Sequence, residues 1–143
     1  MSATIKNIES HEHCLMCGTK NPASFHLNFE KAGENKISGR FKGDYRYQGY
    51  SGILHGGVIS ALLDSAMTHS LFSQNIEAVT ATLQIRFVKS VPFNAEVELL
   101  SEIVFKRYPL YKLKSSLIFR NEVYARAEAN FIDLDFIKNT DFS

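Results

Sequence analysis

Leu54-His55-Gly56-Gly57-Val58-Ile59-Ser60-Ala61-Leu62-Leu63-Asp64-Ser65-Ala66-Met67-Thr68 predicts a helix that is apolar on nearly every side and carries one carboxylate at its centre. A helix of that kind is buried. From Val58 to Phe72 the only formally charged residue is Asp64, and an ionised carboxylate in an apolar interior is costly unless it is paired or hydrogen-bonded. At helical spacing Gly57, Ser60, Ala61 and Thr68 share its face. Residues that small leave room for a ligand or a second chain, which favours a functional Asp64 over one merely satisfied by a neighbouring Ser or Thr.

On both sides of this helix the chain alternates with period two, the pattern of half-buried antiparallel strands. Val79, Ala81, Leu83, Ile85 and Phe87 make one apolar face, with Thr80, Thr82, Gln84 and Arg86 opposite. The alternation recurs in Ala95/Val97/Leu99, in Tyr111/Leu113/Leu117/Phe119 and in Val123/Ala125/Ala127/Ala129/Phe131. Upstream, Phe25/Leu27/Phe29 and Ile37/Phe41 predict two more strands, joined by a turn over Lys31 to Lys36. Asn121-Glu122 reads as a short turn between the last two strands. The predicted order is β-β-α-β-β-β-β, an α+β fold in which an antiparallel meander curls around one long helix. An edge strand and a small-residue helix face are contact surfaces, so a homodimer is expected.

At 143 residues the chain fits one domain, residues 1–143, with no linker or repeat. A content of 45% hydrophobic and 22% charged residues is that of a globular chain, and a net charge of +1 argues against a phosphate-backbone binder, so no nucleic-acid partner is expected. Met1 to Asn7 lacks the apolar run of a signal peptide, and no segment approaches the roughly 20 apolar residues of a membrane span. A cytoplasmic location with no membrane partner follows as the expectation, with Cys14 and Cys17 as free thiols. The polar tail from Lys138 to Ser143 is expected to fray.

His55-Gly56-Gly57, with Asp64 seven positions after the second glycine, then Thr80 and Arg86-Phe87-Val88-Lys89, resembles the hotdog-fold acyl-CoA thioesterases of the phenylacetic-acid-degradation (PaaI-like, 4HBT-type) group. Cys14-Leu15-Met16-Cys17-Gly18-Thr19-Lys20-Asn21-Pro22 is similar to the Cys-x-x-Cys-Gly…Asn-Pro segment of one branch of that superfamily, and the resemblance runs from about Cys14 to Phe131. It implies a hotdog fold, hydrolysis of an acyl-CoA thioester, and dimers whose sheets are continuous, with tetramers also known to the fold. Coenzyme A enters only as part of the substrate, and no cofactor is expected.

Thioester hydrolysis needs a group that polarises the carbonyl and a carboxylate that activates water or attacks directly. Asp64 is the candidate carboxylate. The free N–H groups and positive dipole at a helix start can hold a developing oxyanion, and Gly57 permits close approach, so its N–H is the candidate donor. Seven residues at about 1.5 Å each put Asp64 about 10 Å further along the same helix. The resemblance implies two antiparallel helices across a dimer interface, with Gly57 of one chain facing Asp64 of the other. It also implies that His55 supports the loop or the substrate carbonyl, that Gln48 orients the carbonyl or the water, and that Thr80 places a hydroxyl near the water. Gly56, Ser60, Ala61, Thr68 and Lys89 are the expected substrate-binding residues, Lys89 toward the phosphates of coenzyme A. Lys106 and Arg107 also fall at a predicted strand end, and for all three cations a solvated surface role is the simpler account. Pocket depth, and with it the acyl chain length, is expected to depend on Met67 and Leu71.

His11, His13, Cys14 and Cys17 raise the question of zinc. Adjacent ligands at 13 and 14 strain tetrahedral geometry, and structural sites usually draw on two separated pairs, so no metal is expected. A redox Cys-x-x-Cys lacks its βαβ setting. The segment up to about residue 22 is expected instead to pack as a lid. Two rivals remain open: a hotdog dehydratase or hydratase, and a non-catalytic acyl-CoA or lipid-binding hotdog protein.

Overall fold

In the computed structural model, which describes Ile5 and residues 8–140, the apolar stretch forms one helix, α1, over Gly56–Phe72. Ile59, Leu62, Leu63, Ala66, Met67, Leu71 and Phe72 are buried along it, as a helix without a polar face requires. Six strands supply the cover: β1 Phe29–Lys31, β2 Lys36–Lys42, β3 Ala78–Phe87, β4 Glu96–Arg107, β5 Leu110–Phe119 and β6 Glu122–Asp133, followed by a short helix α2 over Leu134–Lys138. They form one sheet in the order β1-β2-β4-β5-β6-β3, and every neighbouring pair is antiparallel. The core lies between the concave face of this sheet and α1, where Ile37, Leu99, Leu113, Leu117, Ala125 and Phe131 meet the helix side chains.

The expected element order holds, and the meander is confined to β4, β5 and β6. Between β2 and β4 the chain crosses over: α1 carries it to the far edge of the sheet, where β3 pairs with β6. Residues 88–95 then return under the loop that precedes α1, tied there by Leu54 N–H to Val91 O and Gly43 N–H to Ala95 O. The β5–β6 connection is as short as expected, because Arg120 and Asn121 both have positive φ, 52° and 62°. That pair makes the tight turn whose twist matches a hairpin.

Two strand expectations are corrected. The strand placed over Phe25, Leu27 and Phe29 begins only at Phe29. His26 has a φ of 53°, which breaks an extended run, and the Phe25 and Leu27 N–H groups donate to Leu15 and Met16 of the leading segment. The second correction concerns β3, whose register against β6 slips between Thr80 and Thr82. Ala81 is bulged out, so the single apolar face expected over Val79, Ala81, Leu83, Ile85 and Phe87 does not exist. Thr80 stands opposite buried Phe131, and Leu83, Ile85 and Phe87 stand opposite buried Ala129, Ala127 and Ala125. All four therefore point to the helix side, while Val79 points away. At the C-terminus Asp133 caps α2 by accepting the Asp135 N–H; the rest of the tail expected to fray, 141–143, lies outside the described residues, as do 1–4, 6 and 7.

Buried polar groups near the core are paired. Ser70 donates to Ser101 at 2.8 Å and Ser115 to the Leu63 carbonyl at 3.1 Å. His69, 1% exposed, donates Nδ1–H to the Ser65 carbonyl at 2.8 Å and lies against the rings of Phe29 and Phe72. Burial pushes its pKa down to about 4, so it is neutral at pH 7.

Two stability measurements follow from this core. Leu63→Ala, at a fully buried position, is expected to lower unfolding free energy by about 3 kcal/mol in urea titrations. A histidine depressed from 6.5 to about 4 contributes stability that is present above pH 6.5 and lost as pH falls through 4. His69→Gln should therefore show a shallower decline of stability across that interval than the wild type.

Candidate active site

Asp64 lies half-buried at the middle of α1, and the Thr80 hydroxyl donates to its Oδ1 at 2.6 Å. The Ala81 bulge produces this contact, since it turns Thr80 to the helix side while Thr82 stays on the outer face and accepts from Asn130 at 2.8 Å. Burial raises the Asp64 pKa, and the Thr80 hydrogen bond opposes that rise. A carboxylate whose ionised form is poorly solvated is a better proton acceptor than one in water.

The second cluster surrounds the start of α1. His55 is the N-cap: its Nδ1 accepts the Gly57 N–H at 2.8 Å, one of the donors that a helix start leaves without an internal partner. A Cβ on Gly57 would stand 2.9 Å from His55 Nδ1 and Cε1, so glycine is required under the ring. The preceding loop is braced. The His55 N–H donates to Tyr47 O, and Gly52 takes a φ of 86° that other residues rarely adopt. Gln48 spans the loop, its amide donating to Tyr45 O at 2.9 Å and accepting from the Gly52 N–H at 2.8 Å.

Asp64 and Thr80 thus come together, as do His55 and Gly57, and the two pairs stay apart along one helix. The remaining expected residues have local partners. Ser60 donates to Gly56 O and Thr68 to Asp64 O, both within α1, and Ala61 packs half-buried against the core. Gly56 lies beneath the Phe87 ring, 3.5 Å from where its Cβ would be. Lys89 is ion-paired with Glu122 and stands over the Tyr124 ring, while Lys106 donates to Gln74. Met67 and Leu71 are fully buried in the core of the single chain.

Sequence reasoning missed what lies beside the site on β3. Leu83 and Phe87 point to the helix side of an edge strand and are 40% and 55% exposed. Their apolar identity was visible; that β3 ends the sheet was not. A surface depression of ≈ 460 Å3 lies on the outer sheet face among Thr82, Gln84, Val104, Lys112 and Glu128. In the leading segment burial pushes the Cys17 thiol up to about 12, which leaves it protonated and a poor redox nucleophile.

A long helix wrapped by a six-stranded antiparallel sheet is the hotdog fold. Solved structures agree: a thioesterase superfamily protein superposes with a TM-score of 0.79 at 21% identity, over 85% of this chain and 61% of that one. A hypothetical thioesterase of Streptococcus pneumoniae TIGR4, solved with coenzyme A, gives 0.71 at 16% identity, over 76% of this chain and 88% of its own. That streptococcal protein has also been solved with an aspartate, and separately a threonine, changed to alanine. The profile of the thioesterase superfamily matches residues 51–107, the span that holds His55, Gly57, Asp64 and Thr80. Acyl-coenzyme A thioesterase THEM4 of Rattus norvegicus is 30% identical over 116 residues, 75% of this chain and 47% of that protein. The chain therefore spans about half the length of that relative, and it belongs to the hotdog-fold thioesterase superfamily.

The raised Asp64 pKa has a consequence for stability. A group raised above 3.8 contributes stability that is present below pH 3.8 and lost as pH rises through its folded value. Asp64→Asn, which still offers an acceptor to Thr80, is expected to have a higher urea midpoint than the wild type at pH 7. The gap should close as pH falls below 3.8, and a midpoint unchanged at pH 7 would count against a strained carboxylate.

Proposed function

We propose that this chain hydrolyses an acyl-CoA thioester to the free acid and coenzyme A, with Asp64 as the catalytic carboxylate. The observation that carries the reading is the Asp64–Thr80 pair, a half-buried carboxylate of raised pKa held by one hydroxyl in a chain of this superfamily. Thr80 holds Oδ1, and Oδ2 takes a proton from water as the oxygen attacks the thioester carbonyl. The C–S bond of the tetrahedral intermediate then breaks, and the leaving thiolate takes the proton back from Asp64.

The oxyanion is held by the Gly57 N–H of a second copy, since one helix keeps Gly57 and Asp64 about 10 Å apart. The exposed helix-side residues of edge strand β3, Leu83 and Phe87, support pairing of two copies there. In the single chain the Gly57 N–H is given to His55 Nδ1, so the imidazole must turn aside when a carbonyl oxygen arrives. Lys89 exchanges Glu122 for a phosphate of coenzyme A, and Gly56, Ser60, Ala61 and Thr68 leave room on the helix face. Gln48 acts by shaping the loop that carries His55. We read residues 1–143 as one domain that needs no cofactor and acts in the cytoplasm; among the described residues no helix is long and apolar enough to cross a membrane.

One observation favours a second reading. The capped Gly57 N–H and the internally bonded Gln48 amide also suit a hotdog protein that binds acyl-CoA without turnover. Thiol release from short-chain, long-chain and aromatic acyl-CoAs separates the two. Under the hydrolase reading Asp64→Ala lowers turnover by about 10²–10⁴-fold at unchanged oligomeric state. Wild-type binding without release of thiol on any substrate would leave the binding protein.

The shared site has its own test. Co-expressed Asp64→Asn and Gly57→Val chains are each inactive alone, but a mixed dimer keeps one intact site. A statistical mixture should recover about a quarter of wild-type activity if the two groups come from different chains. No recovery would place both groups in one chain.

A further inference from the structure

The leading segment brings together three groups that the proposed hydrolysis does not use. His11, Cys14 and Cys17 each offer a ligand atom, and these atoms all lie within 4.8 Å of one another. We propose that His11, Cys14 and Cys17 bind one zinc ion, which fastens the leading segment to the C-terminal end of α1.

One of the three ligand spacings already matches that of a bound site, and the other two lie within 4.8 Å. Zn–S of about 2.3 Å and Zn–N of about 2.0 Å at a tetrahedral angle put sulfur and nitrogen about 3.5 Å apart. Cys17 Sγ and His11 Nδ1 are 3.7 Å apart. The backbone holds the three positions without help from a metal. A 3₁₀ turn over Glu9–His11 leads into Cys14 N–H donating to His11 O, and Gly18 N–H donates to Cys14 O at 2.8 Å. A Cβ on Gly18 would lie 2.5 Å from Cys14 N and Glu12 O, so only glycine lets the chain close this tightly behind Cys17. The Met16 N–H points at Cys14 Sγ at 3.3 Å, which fixes the sulfur relative to the turn.

Of the two objections raised by the sequence, the adjacency of ligands falls away with the geometry. His13 is exposed and stands outside the cluster, so no two ligands are adjacent in the chain; the spacing is three residues and three again. Two thiolates and an imidazole are a soft donor set, suited to zinc and poor for calcium or magnesium. Three protein ligands leave a fourth position for water, which reaches the half-buried His11 and Cys14. On binding, two S–H bonds give their protons to solvent and two Zn–S bonds form, with no change of oxidation state. The His11 ring meets Phe72, the last residue of α1, edge-on at 4.8 Å, and Phe72 in turn meets His69. A metal at His11 would therefore fix the leading segment against the helix end.

Cobalt reports such a site directly. Full-length protein, reduced and stripped with chelator, is titrated with Co2+. The expected result is a thiolate-to-metal charge-transfer band and tetrahedral d–d bands that saturate at one Co2+ per chain and are bleached by one Zn2+. Zn2+ should also raise the melting temperature. Cys14→Ser and His11→Ala should lose the bands, and His13→Ala should keep them. Absence of both the bands and the thermal shift in the reduced wild type would overturn the proposal even if a variant fails to fold. So would bands that persist in Cys14→Ser.

Discussion

A carboxylate set into a helix with no polar face constrains everything near it. Asp64 loses hydration, and the compensation in this chain is one hydrogen bond from Thr80. That bond exists only because β3 is irregular. In a regular strand Thr80 and Leu83 would point to opposite faces, and a core-facing Thr80 would turn Leu83, Ile85 and Phe87 outward. The bulge at Ala81 lets both requirements hold. It brings a hydroxyl to the carboxylate at one end of the strand and presents apolar side chains on the helix side at the other. β3 is at the edge of the sheet, where loss of one ladder position costs least.

The beginning of α1 obeys a different constraint. Here the problem is too many donors, since a helix start leaves N–H groups without acceptors. His55 answers with Nδ1, and the glycine at 57 lets the ring lie over the backbone. Gly49 lies on the other side, where a Cβ would be 3.4 Å from His55 Cα and Cδ2. The imidazole thus lies between two glycines, and neither presses a side chain against it.

The helix, most of the strands and Asp64 were legible because each depends on local pattern. Apolar residues from Val58 to Phe72 leave one reading, and a lone carboxylate among them stands out. What was not legible depends on partners distant in the chain. The Ala81 bulge has no residue signature; it follows from the register that β6 imposes. His26 with positive φ cut short the first strand because the leading segment competes for the Phe25 and Leu27 N–H groups. The Gln48 side chain was visible as an amide near a turn, but its two bonds to the same loop come from how Gly52 folds back. For the cysteines, spacing offered both His11 and His13; the fold brings His11 to the two sulfurs and leaves His13 exposed.

Packing alone does not ask for an aspartate at position 64. Thr80 needs an acceptor, and an asparagine oxygen would provide one without the desolvation that raises the carboxylate's pKa. A serine would meet the same hydroxyl and fit the small-residue face formed with Ser60, Ala61 and Thr68. Each alternative gives a more stable chain at neutral pH by the linkage between pKa and folding. A carboxylate held at that disadvantage has one property the alternatives lack, the capacity to act as a base and take a proton from water. The same burial that weakens the fold strengthens it as a base, so the destabilising feature and the reactive one are a single feature.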